Sequence, residues 1–193
     1  MGYLALAPAG VVEPEAIGFA SARVAAALRL ETVLLKPFPD PEYAYDPGRG
    51  QYSSTLVLRD ALSRRPAGAL RLLVVTEHDI FIPMLSFVYG QAQLEGPVAV
   101  MSLARLRQEF YGLPSNKPLF MGRVGKEALH ELGHTFGLTH CDEPVCAMRL
   151  STAISQLDAK GGDYCPSCAI LLREAVAAAL ATAGGAQTSG GTR

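Results

Sequence analysis

The sequence predicts an α/β fold in which a mixed β-sheet carries helices and a small irregular region follows. Strand and helix patterns alternate along the first two-thirds of the chain, as expected when helices cover a sheet. An almost continuous apolar run at residues 70–76 indicates a central strand that is buried on both faces. The length of 193 residues suits a single core with an added lobe.

Local patterns predict each element in turn. Short apolar or β-branched runs predict strands at residues 3–7, 32–35, 70–76, 87–90 and 98–102. Helices are predicted at residues 13–28, 53–64, 117–136 and 165–183. The first begins with a proline between two acidic residues and the second with a serine pair, both of which are typical of helix starts. Gly137 marks the end of the third helix, since glycine favours the left-handed backbone found there. Glycine- and serine-rich residues 184–193 predict a flexible tail.

Composition and charge exclude several classes of function. An apolar fraction of 49% with 18% charged residues provides a core and argues against a disordered chain. The net charge of −1 offers no basic surface for nucleic acid or an anionic membrane. No apolar run is expected to reach the ~18 residues of a membrane span, and the N-terminus lacks the basic start of a secretory signal. We therefore expect a cytoplasmic monomer without nucleic-acid or membrane partners.

Potential metal ligands cluster between residues 130 and 168. An H-E-x-x-H pattern at residues 130–134 extends to H-E-x-x-H-x-x-G-x-x-H, which ends at His140. On a helix, His130 and His134 share one face and can bind one ion. A turn at Gly137 brings His140 back as a third ligand. Three histidines leave a fourth position open, as in catalytic zinc sites; a chance match and a closed structural zinc are the alternatives.

The four cysteines form a second set, which comprises Cys141, Cys146, Cys165 and Cys168. The C-x-x-C spacing at residues 165–168 is typical of zinc ribbons, and four thiolates enclose a structural zinc that stabilises the fold. Two disulfides are the alternative, which a reducing cytosol disfavours. His140 directly precedes Cys141, so the two sites would be joined by one peptide bond. The sequence therefore predicts two zinc ions per chain, one catalytic and one structural.

The run from His130 to Met148, followed by the C-x-x-C at residues 165–168, resembles the archaemetzincin family of zinc peptidases. Supporting matches lie upstream, at residues 50–54, at Val75-Thr76 with Asp79, and at residues 102–106. The resemblance implies a metzincin-type zincin fold in a single catalytic domain over residues 1–183. Its upper lobe, residues 1–137, would hold a twisted sheet and two long helices. Its lower lobe, residues 138–183, would hold a Met-turn and a C-terminal helix.

The resemblance also implies roles for individual residues. Met148 would be the Met-turn residue, an apolar floor under the three imidazoles. Glu131, beside the first ligand, would act as general base for a zinc-activated water and then protonate the leaving amine. Residues 98–102 are expected to form an edge strand that pairs with an extended peptide. Ser151 and Thr152 are expected to help form the pocket beyond the scissile bond.

The predicted function is a zinc metallopeptidase with a peptide or protein substrate. Two alternatives stay open from the sequence: a zinc-stabilised peptide-binding protein with little or no turnover, and a zinc hydrolase acting on a non-peptide amide. Glu131 favours an enzyme, because binding alone does not need a general base.

Overall fold

The computed structural model describes residues 2–185 and confirms a mixed α/β fold. The strands are β1 (Tyr3–Ala9), β2 (Thr32–Leu34), β3 (Tyr45–Asp46), β4 (Gln51–Ser53), β5 (Ala69–Thr76), β6 (Ile80–Phe81), β7 (Gly90–Ala92) and β8 (Val98–Ser102). The helices are α1 (Pro14–Leu28), α2 (Ser54–Arg64), α3 (Lys117–Thr135), α4 (Ile154–Ala159) and α5 (Pro166–Gly185). Of the predicted tail at residues 184–193, the first two residues belong to α5, and residues 186–193 lie outside the described part.

The main sheet has five strands in the order β2-β1-β5-β8-β7. The first four are parallel, and β7 runs antiparallel to β8. In the central strand, Leu72 lies opposite Ala5 of β1, and Leu73 lies opposite Ala99 of β8. Both leucines are fully buried, which fits a strand covered on both faces. A second sheet, with the order β3-β4-β6, was not predicted from the sequence.

Two strand predictions at the end of the main sheet were wrong. The strand predicted at residues 87–90 begins only at Gly90, and the residues before it lead into β7. The predicted edge strand, β8, lies between β5 and β7 and is buried along its whole length. Its five apolar or small residues suit an interior strand, whereas the short Gly-Gln-Ala sequence of β7 suits an edge. The free edge beside the cleft therefore belongs to β7.

Two apolar clusters cover the two faces of the main sheet. On one face, α1 and α3 pack on alternate residues of the strands, such as Leu73 and Met101, through residues that include Val24 and Val124. On the other face, α2 packs through Val57 and its neighbours. Because α3 is held along most of its length, its C-terminal turns are fixed beside β7 and β8.

A partly buried ion pair links α4, in the chain after α3, to α3 itself. Arg123 of α3 binds both carboxylate oxygens of Asp158 in α4 at 2.7 Å. The same guanidinium donates to the carbonyl oxygen of Leu106 at 2.8 Å. Helix α4 was not predicted, because its six residues lie in a stretch without clear periodicity. This pair fixes α4 against the helix that carries two of the candidate zinc ligands.

Helix α5 has the length and composition of a membrane span, contrary to the expectation from the sequence. Its mean hydropathy over Pro166–Gly184 is 1.4. Cys168, Leu172 and Val176 are buried against the rest of the molecule, whereas Ile170 and Leu171 are about half exposed. Length and apolar composition are by themselves weak support for a span, because core helices of soluble proteins share them. That the chain has no membrane partner stays a prediction.

Candidate active site

Three histidines meet at the C-terminal end of α3. His130 and His134 lie on consecutive turns of that helix, and Gly137, with φ of +90°, turns the chain so that His140 faces them. The ligand atoms of all three lie within 4.8 Å of one another. The Nε2 atoms of His130 and His134 are 3.2 Å apart, close to the ~3.3 Å edge of a tetrahedron around zinc. The three imidazoles therefore fit three of the four positions of a zinc ion.

Backbone carbonyls orient two of these imidazoles. His130 Nδ1 donates to the carbonyl oxygen of Ala147 at 2.9 Å, and His134 Nδ1 donates to that of Leu138 at 2.7 Å. These bonds leave both Nε2 lone pairs free for a metal. Burial lowers the pKa of His130 well below its usual value, and it also lowers the pKa of His134 and of His140. The neutral imidazole, which is the form that binds metal, is therefore favoured at all three positions.

Glu131 lies between the histidines and the edge strand β7. It is only 4% exposed, and its Oε2 has no hydrogen-bond partner within residues 2–185. A Cβ added to Gly90 would lie 2.5 Å from Glu131 Cγ and 2.6 Å from its Cδ, so only glycine gives the carboxyl group room here. Burial, together with the carboxyl group of Glu127, raises the pKa of Glu131 well above its usual value. A buried oxygen without a partner is expected where water or a ligand binds.

The structure adds two buried charged residues that the sequence analysis missed. Glu127 lies one helical turn before Glu131 on the same face of α3 and lines the same cavity. Lys160, 2% exposed, donates from Nζ to the carbonyl oxygens of Ala147 at 3.0 Å and Arg149 at 3.3 Å. Burial raises the pKa of Glu127 and lowers the pKa of Lys160. The i to i+4 spacing to Glu131 could have revealed Glu127, but no local pattern identifies Lys160.

Met148 lies beneath the helix that carries the histidines. It is fully buried, and a Cβ at Gly133 of α3 would collide with its Sδ atom. The backbone N–H of Cys141 donates to the carbonyl oxygen of Met148 at 3.1 Å. The turn around Met148 therefore packs against α3 while it stays bonded to the segment that follows His140.

The four cysteines lie together beside this turn. They are free thiols whose sulfur atoms lie within 4.8 Å of one another, which does not match the disulfide alternative. The Sγ atoms of Cys141 and Cys165 are 3.9 Å apart, close to the ~3.8 Å edge of a tetrahedron of sulfurs around zinc. The N–H groups of Met148 and Cys165 both donate to Cys146 Sγ at 3.4 Å, as suits a thiolate. The set therefore fits a closed, four-sulfur zinc site.

A cavity of about 520 Å³ opens onto the histidines and Glu131. Its volume is within the ~300–1,000 Å³ usual for ligand sites. Ser151 and Thr152 both line it, and the buried hydroxyl of Ser151 has no partner in the described part of the chain. One wall of the cavity is formed by the segment that contains β7.

The open edge of β7 faces this cavity. The backbone N–H of Ser102 donates to the carbonyl oxygen of Tyr89, and the N–H of Gln93 donates to the carbonyl oxygen of Val98. Alternate residues of the β7 segment therefore bond to β8. In an antiparallel pair, the backbone groups of the intervening residues, Gly90 and Ala92, point away from β8. Both residues line the cavity, and their N–H and C=O groups are therefore placed to bond an extended chain.

Comparisons with known proteins point to one family. The sequence pattern of peptidase family M54 matches residues 60–174. The archaemetzincin of Methanocaldococcus jannaschii is 41% identical over 165 residues, which cover 86% of this chain and 89% of that protein. The archaemetzincin of Pyrococcus furiosus is 45% identical over 134 residues, which cover 68% of this chain and 69% of that protein.

Solved structures agree with the sequence comparison. The crystal structure of the archaemetzincin from Methanopyrus kandleri matches 91% of this chain and 96% of its own, with a TM-score of 0.80 and 34% identity. The archaemetzincin from Archaeoglobus fulgidus matches 88% of this chain and 99% of its own, with a TM-score of 0.76 and 31% identity. The likeness thus extends over nearly the whole described chain.

Proposed function

Because the chain belongs to peptidase family M54 and is a zinc metallopeptidase of the archaemetzincin kind, we propose that it hydrolyses peptide bonds with Glu131 as general base. His130, His134 and His140 would hold the catalytic zinc. The observation that carries this proposal is the convergence on one cavity of three imidazoles and of Glu131 Oε2, which has no hydrogen-bond partner among residues 2–185.

The residues of the chain supply binding, orientation and proton transfer. The backbone groups of Gly90 and Ala92 bond an extended peptide and place its scissile bond beside Glu131. Glu131 takes a proton from the attacking water at Oε2 and passes it to the leaving nitrogen. A zinc ion held by the three histidines would polarise the carbonyl group and lower the pKa of water. Lys160 holds the turn around Met148 through two carbonyl oxygens and so keeps the floor of the site in place.

We propose a second, structural zinc at Cys141, Cys146, Cys165 and Cys168. The distances between sulfurs and the N–H donors to Cys146 support this site, and the free thiols suit the proposed cytoplasmic location. Four sulfur ligands leave no position open for substrate, so this zinc would stabilise the segment from His140 to α5 without taking part in the reaction.

Zinc content and hydrolysis test both sites together. Wild-type protein purified without added metal should contain two zinc ions per chain and cleave a mixed peptide pool. His134→Ala should contain one, keep its fold and lose hydrolysis; Cys165→Ser should lose the other and melt at a lower temperature. His78→Ala is the matched control, because that histidine pairs with Asp40 and does not line the cavity. Two zinc ions and full hydrolysis in His134→Ala would contradict the assignment.

A further inference from the structure

Three exposed leucines surround the opening of the catalytic cavity. Leu85, Leu94 and Leu150 are 51%, 58% and 50% exposed, and all three line the cavity. Single exposed leucines are ordinary on protein surfaces. These three come from two parts of the chain, the stretch around β7 and the turn after Met148, and they line one concave site, which is the pattern expected of an apolar binding surface.

The charged groups of the cavity lie behind these leucines. Glu127, Glu131 and Lys160 are each less than 5% exposed. Glu95 and Arg149, the charged neighbours of Leu94 and Leu150 in the sequence, do not line the cavity. Apart from the proposed zinc ion, a substrate side chain that enters from solvent therefore meets no exposed charged side chain among the residues that line the cavity.

The leucines flank the path of a peptide bonded to β7. Leu85 precedes this strand in the chain and Leu94 follows it, whereas Leu150 belongs to the turn that follows Met148. Ala92 carries only a methyl group, whereas the space in which a Cβ of Gly90 would lie is filled by the side chain of Glu131. Side chains of an extended peptide alternate in direction, and those that point into the cavity would contact the three leucines.

We propose that the cleft selects extended peptides with large aliphatic or aromatic side chains beside the scissile bond, and that Leu85, Leu94 and Leu150 make this selection. The inference rests on the proposed peptidase function and adds its substrate class. The cavity of about 520 Å³ has room for such side chains. Discrimination between apolar side chains of different size in a pocket is commonly ~10–200-fold, which sets the scale of preference to expect.

A peptide series that varies the two residues flanking the scissile bond tests this selection. Wild-type protein should cleave peptides with leucine or phenylalanine there with kcat/KM at least ~10-fold above those with serine, lysine or glutamate. Leu94→Asn and Leu150→Asn should each remove most of this preference, while Leu94→Met and Leu150→Met keep it. Leu113→Asn is the control, because Leu113 is 52% exposed and lies outside the cavity.

Binding of the same peptides to zinc-loaded Glu131→Ala separates this inference from the proposed function. Apolar selection would be overturned if hydrolysis or binding did not depend on the polarity of the peptide side chains, or if the preference were unchanged in both asparagine variants. Peptidase activity would stand in either case. Apolar preference in binding that depends on the leucines, with no hydrolysis by the wild type, would support selection and contradict the peptidase. Equal melting temperatures and zinc contents show that the variants are folded.

Discussion

Gly90 shows how a missing side chain sets the geometry of the cleft. Its backbone lies against the carboxyl group of Glu131, where any Cβ would overlap Cγ and Cδ. The same residue offers its N–H and C=O groups along the open edge of β7. One position thus brings the proposed base and the proposed peptide-binding edge into contact, which a larger residue could not do.

Gly90→Ala should lower peptide hydrolysis by about 10–100-fold, because the displaced carboxyl group no longer reaches the attacking water. Zinc content should stay at the wild-type value, since the three atoms nearest a Cβ at Gly90 all belong to Glu131, which is not a candidate ligand. Gly122→Ala in α3 is the control, because a Cβ there meets nothing within 4 Å. Steady-state kinetics and elemental analysis measure both quantities; a wild-type rate for Gly90→Ala would show that the position of Glu131 is not critical.

Local spacing explains why some site residues could be predicted and others could not. His130, Glu131 and His134 share one helix, and the turn at Gly137 brings in the third histidine, so sequence spacing alone indicates their arrangement. Gly90 and Lys160 reach the site only through tertiary contacts, with β7 packed beside α3 and with the turn around Met148. No periodicity within their own segments could reveal them.

At the scale of elements, the wrong prediction for the edge strand has a physical cause. The five residues of β8 are apolar or small, which a strand needs when neighbours flank it on both sides. The three residues of β7, Gly-Gln-Ala, are too few to give a clear strand pattern. Because short edge strands carry weak patterns, the edge proposed to bind peptide was placed one strand too far into the sheet.

The ion pair between α3 and α4 should be important for stability. Arg123→Met leaves Asp158 and the Leu106 carbonyl without their donor. The free energy of unfolding should therefore fall by roughly 2–4 kcal/mol. This loss is smaller than that expected for a fully buried pair, because Asp158 is partly exposed. Urea unfolding of the zinc-loaded protein measures this. Arg64→Met is the control, because that arginine pairs with Asp60 on the exposed surface of α2 and should have little effect. Equal losses in both variants would contradict the assignment.

At the scale of the whole molecule, the cleft lies where two differently built regions meet. The sheet and its helices supply β7 and α3, and the irregular chain after α3 supplies His140, Met148 and the four cysteines. His140 and Cys141 are adjacent, so the two candidate zinc sites share one peptide bond. The sequence indicated the fold class because its long strands and helices have clear periodicity. It did not indicate the second sheet, whose strands contain only two or three residues.

The central claim is that Glu131 makes this zinc protein a peptidase rather than a peptide-binding protein. The most direct measurement compares peptide hydrolysis by zinc-loaded wild-type protein and Glu131→Ala, with peptide affinity and zinc content determined in parallel. Glu174→Ala, an exposed glutamate of α5, serves as the control. We predict equal zinc content and similar peptide affinity, with hydrolysis lowered by ~10²–10⁴-fold in Glu131→Ala alone. Equal hydrolysis by both proteins, or peptide binding without hydrolysis by the wild type, would contradict the account.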